Sequence, residues 1–327
     1  MRGGARRIGR KLGNGAWRAP AVAALFGSML LWSCSSSGGG GPFAFPDGVA
    51  IDKNGWIYVA DTANDRIVRM DDISGANTVT FGSPGTGVNQ FNIPIGVAVD
   101  VNLNIYVADS GNNRIVRIED MSGKNWTTIG GISPGSGVNQ FDFPEGIAVD
   151  NSGTPKIYVT DTDNDRIVQL DDMTQDAGTW HEFGPTGQFN IPIGIAVDGT
   201  GHIYVADFGH NRIVEMDDMH GTNLQGLSAD PNNSSDQMKK PFGIAVNSTG
   251  QIEVSDSGHN RIIQVDNISG ANWMTLGGPS HGDGTNKFNG PGGVAVDSAN
   301  DIFVCDTGNS RIVQMTDIAG DGWTAYP

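Results

Sequence analysis

PDGVAIDKNGWIYVADTANDRIVRM, residues 46–70, holds three short apolar runs separated by turn residues. The run at 49–51 is continuous, as in a strand covered on both faces, and so is the run at 57–60. The third, Arg66-Ile-Val-Arg-Met70, admits a polar residue at its centre and reads as less buried. Asp52-Lys-Asn-Gly55 and Thr62-Ala-Asn-Asp65 are hairpin turns by composition, and Asp71-Asp-Ile-Ser-Gly75 closes the unit towards a fourth strand. A four-stranded antiparallel meander is therefore expected, with burial falling from the first strand outwards.

The unit recurs five times. Its opening proline returns at Pro94, Pro144, Pro192, Pro241 and Pro291, and its second strand ends on Asp61, Asp109, Asp161, Asp207, Asp256 and Asp306. Five residues after each aspartate stands an arginine: Arg66, Arg114, Arg166, Arg212, Arg261 and Arg311, at intervals of 48, 52, 46, 49 and 50. A period near fifty residues in six copies predicts radial repetition of one supersecondary unit. The fold class is all-β: a six-bladed β-propeller of four-stranded antiparallel blades, about 24 strands in all. The outer strand of most units carries a tryptophan, at 126, 180, 273 or 323, with Thr78 in the first. The first unit begins at its innermost strand and the last ends at its outer one, so no blade is shared between the termini.

Gly209-His-Asn-Arg-Ile-Val214 and Gly258-His-Asn-Arg-Ile-Ile263 resemble the signature of NHL repeats, over about residues 43–327. Propellers of this kind resemble peptidyl-hydroxyglycine lyases and streptogramin lyases. That likeness would imply metal and polar groups converging on the channel.

Composition narrows the functions. The 327 residues include 48 Gly and 15 Pro, which suits a chain that turns often, and only two cysteines, at 34 and 305. Net charge is −16, but residues 1–33 hold six basic residues and no acid. The remainder has 14 basic against 36 acidic residues, a net of −22 that repels phosphate backbones and argues against nucleic-acid partners.

Residues 1–33 read as a signal peptide, with a basic start and then an apolar run too short and interrupted for a spanning helix. Leu31-Trp-Ser-Cys34 resembles the bacterial lipobox, with Trp32 where a small residue is usual. The resemblance implies cleavage before Cys34 and a diacylglycerol on its thiol. Residues 34–42, with their Ser/Gly run, then form a flexible tether, and Ser35 resembles the sorting signal for the outer membrane. The expected location is the bacterial cell envelope, outer membrane or cell surface, with the lipid as the only membrane contact.

The six Asp–Arg pairs are expected to fix turn and register by charge-assisted hydrogen bonds, since a catalytic group would distinguish one blade from the rest. His210 and His259 occupy equivalent turns in adjacent blades. Packed sheets stand about 10 Å apart and zinc–nitrogen bonds are about 2 Å, so these histidines are turn residues and no metal or cofactor site is expected. Asp161-Thr-Asp-Asn-Asp165 opens like a calcium loop, but Arg166 stands where such a loop needs glycine. Cys305 takes the place of Ala60, Ala108 and Ala206 and reads as a small buried side chain.

The fifth unit departs from the others. Glu253 replaces the tyrosines at 58, 106, 158 and 204, and an insertion at 224–240 brings Lys239 and Lys240 to an acidic body. These three residues are the candidate binding residues. No catalytic residue is assigned. The expected function is a binding or scaffold module for a protein, peptide or glycan, on loops at 83–90, 133–140 and 279–287 that share a face with the Asp–Arg turns. A propeller lyase is the alternative.

Overall fold

The computed structural model describes residues 42–174 and 177–327, together with the backbone of two short strands, Arg10–Lys11 and Trp17–Arg18. The chain divides into two compact units, residues 1–40 and 41–327. Within the first, the two short strands pair antiparallel, with Arg10 opposite Arg18. Cys34, the signal-peptide segment and the Ser/Gly tether lie outside the described residues.

The second unit is a six-bladed propeller. Each blade is a four-stranded antiparallel sheet of consecutive strands. The blades run from Pro46–Ile51 to Val79–Phe81, from Pro94–Val99 to Thr127–Gly130, and from Pro144–Asp150 to Trp180–Phe183. They continue from Pro192–Val197 to Gln225–Leu227, from Pro241–Val246 to Met274–Gly277, and from Val294–Val296 to Thr324–Tyr326. A small extra hairpin, Ala229–Asp230 with Asn233–Gln237, occupies the insertion between blades 4 and 5.

Burial does not fall steadily outwards as the sequence suggests. The second strand is the most protected: every residue of Ile57–Asp61 and of its five counterparts is buried, except Lys156 at the start of the third. The inner strand keeps partial exposure at positions 51, 99, 149, 197, 246 and 296. Its outer edge pairs with the second strand, whereas no strand pairs with its other edge.

The glycine of the Pro-x-Gly motif sets how closely the blades meet. A Cβ on Gly48, Gly96, Gly146 or Gly194 would fall inside van der Waals contact of a carbonyl oxygen in the next blade: Ile95, Glu145, Ile193 or Phe242 respectively. The same holds for Gly293 against Asp47, where blade 6 meets blade 1 and Gly293 N–H donates to the Asp47 carbonyl at 2.6 Å. Between the blades lie apolar clusters, such as Tyr58, Ala60 and Ile67 of blade 1 against Val97, Ile105 and Val107 of blade 2.

Candidate functional site

The Asp–Arg pairs do more than fix a hairpin. In all six blades the arginine Nε donates to the aspartate Oδ2 at 2.6–2.8 Å, and the aspartate is fully buried. The other carboxylate oxygen accepts a backbone N–H from the connection entering the same blade: Ala44, Asn92, Asp142, Asn190, Lys239 or Asn289. The guanidinium reaches carbonyls of that connection as well, at Pro42, Gln90, Gln140, Gln188, Gln237 and Lys287. Each pair therefore ties the incoming chain to the turn between second and third strands. Burial raises the carboxyls of Asp109, Asp161 and Asp306, Asp161 to about 6, while the arginine and amide contacts oppose that rise.

In blades 2, 3 and 6 the same machinery shapes a long loop. Arg114, Arg166 and Arg311 donate to the carbonyls of Thr86, Ser136 and Asp283, the last at one of the loop tips. Asn112, Asn164 and Asn309 donate to Gly85, Gly135 and Gly282. The three guanidinium groups also lie 5.5–5.7 Å from the ring centres of Trp126, Trp180 and Trp323. Held this way, the loops present apolar side chains to solvent: Val88 is 68% exposed, Val138 50%, and Ile132 beside the second loop 61%.

On the axis, the residue between proline and glycine lines the channel in five of the six blades. The six residues at this position are Asp47, Ile95, Glu145, Ile193, Phe242 and Gly292, and the first five line a cavity of about 70 Å³. Asp47 and Glu145 are buried, and Asp47 Oδ2 and both carboxyl oxygens of Glu145 have no hydrogen-bond partner. Burial pushes the Asp47 carboxyl up to about 7, with the Thr62 and Thr307 hydroxyls pulling the other way. Glu145 is raised well above the usual carboxylate range by burial, then by the negative charges of Asp163 and Asp47. Neither acid stands out in the sequence, because the position carries an acid in only two of six copies. The available signal was the contrast itself: apolar residues or glycine in four blades, carboxyls in blades 1 and 3.

The candidate binding residues of blade 5 do not form one site. Lys239 and Lys240 are exposed on the loop face, where their N–H groups are held by Asp256 and Asn211 and the Lys240 ammonium lies 5.6 Å from the Phe208 ring. Glu253 is fully buried within the sheet. It stands opposite Ala245, which packs against Val294, Ile302 and Val304, so it faces blade 6. Gln264 donates to it at 2.8 Å, and burial pushes its carboxyl up to about 7. Removed from solvent in this way, it is no part of a docking surface.

His210 and His259 stand where other blades have asparagine, with Nδ1 2.8 and 3.0 Å from Asp207 and Asp256. Asp161 is engaged by Arg166 and Asn164 and is not the first ligand of a calcium loop. Cys305 is buried, and burial raises its thiol. Among the described residues no group of three or more metal-binding side chains converges, and no helix is long and apolar enough to cross a membrane.

A family model for the NHL repeat matches residues 43–70, 91–118, 189–215 and 288–315, which lie in blades 1, 2, 4 and 6; the chain carries NHL repeats. Among curated protein sequences, none matches. A streptogramin B lyase structure is similar at 19% identity and a TM-score of 0.58, over 87% of this chain and 83% of that one. The virginiamycin B lyase of Staphylococcus aureus is similar at 16% identity and a TM-score of 0.57, over 87% and 84%. A structural-genomics protein of unknown function from Bacteroides thetaiotaomicron, at 16% identity, reaches a TM-score of 0.62 over 83% and 68%. At these identities the likeness shows the fold.

Proposed function

We propose that the protein is a lipid-anchored propeller of the bacterial cell envelope that binds a protein, peptide or glycan on its loop face. The observation that carries this reading is the set of three long loops, 83–90, 133–140 and 279–287, pinned by Arg114, Arg166 and Arg311 on the face of the Asp–Arg turns. Pinned loops lose little entropy on binding, and exposed Val88, Ile132 and Val138 supply apolar contact that a solvated rim does not need. The sequence around Cys34 supports the anchor, and the acidic body disfavours nucleic acid.

Two measurements test this reading. Photo-crosslinking residues placed at Val88 and Val138 in living cells should give a discrete adduct that the same residue at Met274, on the outer strand of blade 5, does not. Absence of adducts from both loops overturns the binding face. Cys34→Ser should abolish labelling by radioactive fatty acid and release the protein from membranes; continued fractionation with membranes overturns the lipid anchor.

The lyase alternative draws on the structural neighbours, one of which is a catalytically inactive histidine-to-alanine form of virginiamycin B lyase with quinupristin. Here no histidine lines the axial cavity, and about 70 Å³ is far below the roughly 300–1,000 Å³ of pockets that enclose organic ligands. Incubation with quinupristin should leave its mass and its ring intact; linearised product would establish the lyase instead.

A further inference from the structure

Asp47 and Glu145 are not explained by the ring that contains them. Ile95, Ile193, Phe242 and Gly292 hold the equivalent position in the other four blades, so the fold accepts apolar side chains or none there. Asp47 is 3% exposed and Glu145 fully buried, and three of their carboxyl oxygens lack any partner in the protein. Buried oxygens without a donor are costly whether the acid is charged or protonated. A second irregularity accompanies them. The residue before the motif proline has a left-handed backbone in all six blades: Phe45, Ile93, Phe143, Ile191, Lys240 and Gly290, with φ between 49° and 56°. Glycine takes that conformation freely, as in blade 6, but bulky and β-branched residues rarely do. Four blades nevertheless keep a half-buried apolar side chain there, where the chain passes from the loop face into the innermost strand. The N–H groups of Ile93, Phe143 and Ile191 are held by Asp65, Asn113 and Asp165 of the preceding blades.

We propose that the axial cavity receives the side chain of a lysine from a partner protein or peptide, with its ammonium held between Asp47 and Glu145. The site itself stands on the cavity; only the identity of the partner rests on the loop-face reading above. Asp47 and Glu145 are each the second residue of an inner strand, which places the acids at the loop-face end of the axis. An ammonium offers three N–H donors, matching the unpaired oxygens in number, and its charge relieves the repulsion between two buried acids. A guanidinium is a poorer match. Its planar fork suits oxygens lying in one plane, whereas these acids approach from blades 1 and 3, with blade 2 between them. The volume of about 70 Å³ holds about two groups the size of a water, at roughly 30 Å³ each. That is room for the ammonium and the methylene next to it, against the apolar wall of Ile95, Ile193 and Phe242. The rest of the stem is left to the apolar collar. Two residues separate collar from acids, a span of at most roughly 7 Å that the four-carbon stem of lysine covers.

The full chain, in buffer containing a chelator, is titrated calorimetrically with n-butylammonium, which reproduces the lysine side chain. Saturable one-to-one binding is expected, at least tenfold tighter than that of tetramethylammonium, which carries the charge without a donor, or of butylguanidinium. Asp47→Asn with Glu145→Gln, which preserves shape, should abolish it, while Asp71→Asn with Asp72→Asn on the opposite rim should leave it intact. Should the double variant fail to fold by circular dichroism, Glu145→Ile places at this position the residue that blades 2 and 4 already carry, and should weaken binding at least tenfold. No saturable binding, equal binding of tetramethylammonium or butylguanidinium, or binding unchanged in the axial variants overturns the proposal. The crosslinking at Val88 and Val138 separates this result from the wider reading. Amine binding without loop adducts upholds the axial site and overturns the loop face, whereas loop adducts without amine binding do the reverse.

Discussion

The hydroxyl of Thr307, in the last blade, donates to the carbonyl of Pro46, in the first, at 2.7 Å and across 261 positions of sequence. The same bond links consecutive blades: Thr62 to Pro94, Ser110 to Pro144, Thr162 to Pro192 and Ser257 to Pro291. Blade 4 alone has Phe208 at this place, with the Lys240 ammonium over its ring. The ring thus closes without a shared blade because its seam repeats the contacts found between chain-connected neighbours. Phe43 and Tyr326 add an edge-to-face ring pair there, 5.9 Å between centres.

Thr307→Val should therefore loosen the seam selectively. Loss of one buried hydrogen bond lowers stability by about 1–2 kcal/mol, leaving the Pro46 carbonyl without its donor. Since no covalent connection holds blade 6 to blade 1, amide exchange in Pro46–Ile51 and Ile302–Asp306 should accelerate more than in blade 3. Uniform exchange across the ring would contradict a seam held by this bond.

Gly146→Ala is expected to be among the most damaging single-methyl changes in the chain. Its Cβ would overlap the Ile193 carbonyl and press on the Thr160 hydroxyl, forcing two inner strands apart in a ring that cannot open on one side only. Gly153→Ala, with open space around it, is the matched control. Thermal melts should separate the two by several degrees or show Gly146→Ala insoluble. Similar melts would mean that the blades do not meet as closely as described.

The arginine series should rank by exposure. Arg114 and Arg166 have side chains 9% exposed, whereas Arg66 and Arg212 are 28% and 29% exposed. Removing a partner from a buried aspartate costs on the order of 3–5 kcal/mol, and less where water reaches the pair. Arg166→Ala, which also frees a loop and uncovers Trp180, should approach that range; Arg212→Ala should cost about 1–2 kcal/mol. Equal melting temperatures for the two variants would refute a structural clamp graded by burial.

The parts of this molecule that repeat were the parts legible in sequence. Asp61 and Arg66 announce a constraint because five further pairs keep the same spacing, and four strands per unit follow from three turns. What could not be read is how the units meet. Thr307 and Pro46 are brought together only by closure, and Pro-x-Gly hides whether x faces a neighbour or the axis. Asp47 and Glu145 consequently passed as variation. Glu253 shows the converse failure: a departure from the repeat looked like exposed function, but alternation along Ile252–Asp256 turns it inward beside Gln264.

That inward carboxyl makes stability depend on pH in a direction opposite to that of an ordinary salt-bridged acid. The folded chain holds the Glu253 proton up to about pH 7, against an ordinary value of 4.5, because burial disfavours the charged form. Below 4.5 both folded and unfolded chains are protonated, and Glu253 imposes no penalty. Between the two values unfolding releases a proton, so stability falls as pH rises. The total loss is about 3 kcal/mol, at about 1.4 kcal/mol for each tenfold difference in proton affinity between the folded and unfolded chains. Glu253→Gln keeps an acceptor for the Gln264 amide and never ionises. Other raised acids, such as Asp47 and Asp161, titrate alike in wild type and variant, so the difference between the two isolates Glu253. The variant should match the wild type near pH 4 and melt several degrees higher at pH 8. A constant difference across that range would show that Glu253 is not held neutral against blade 6.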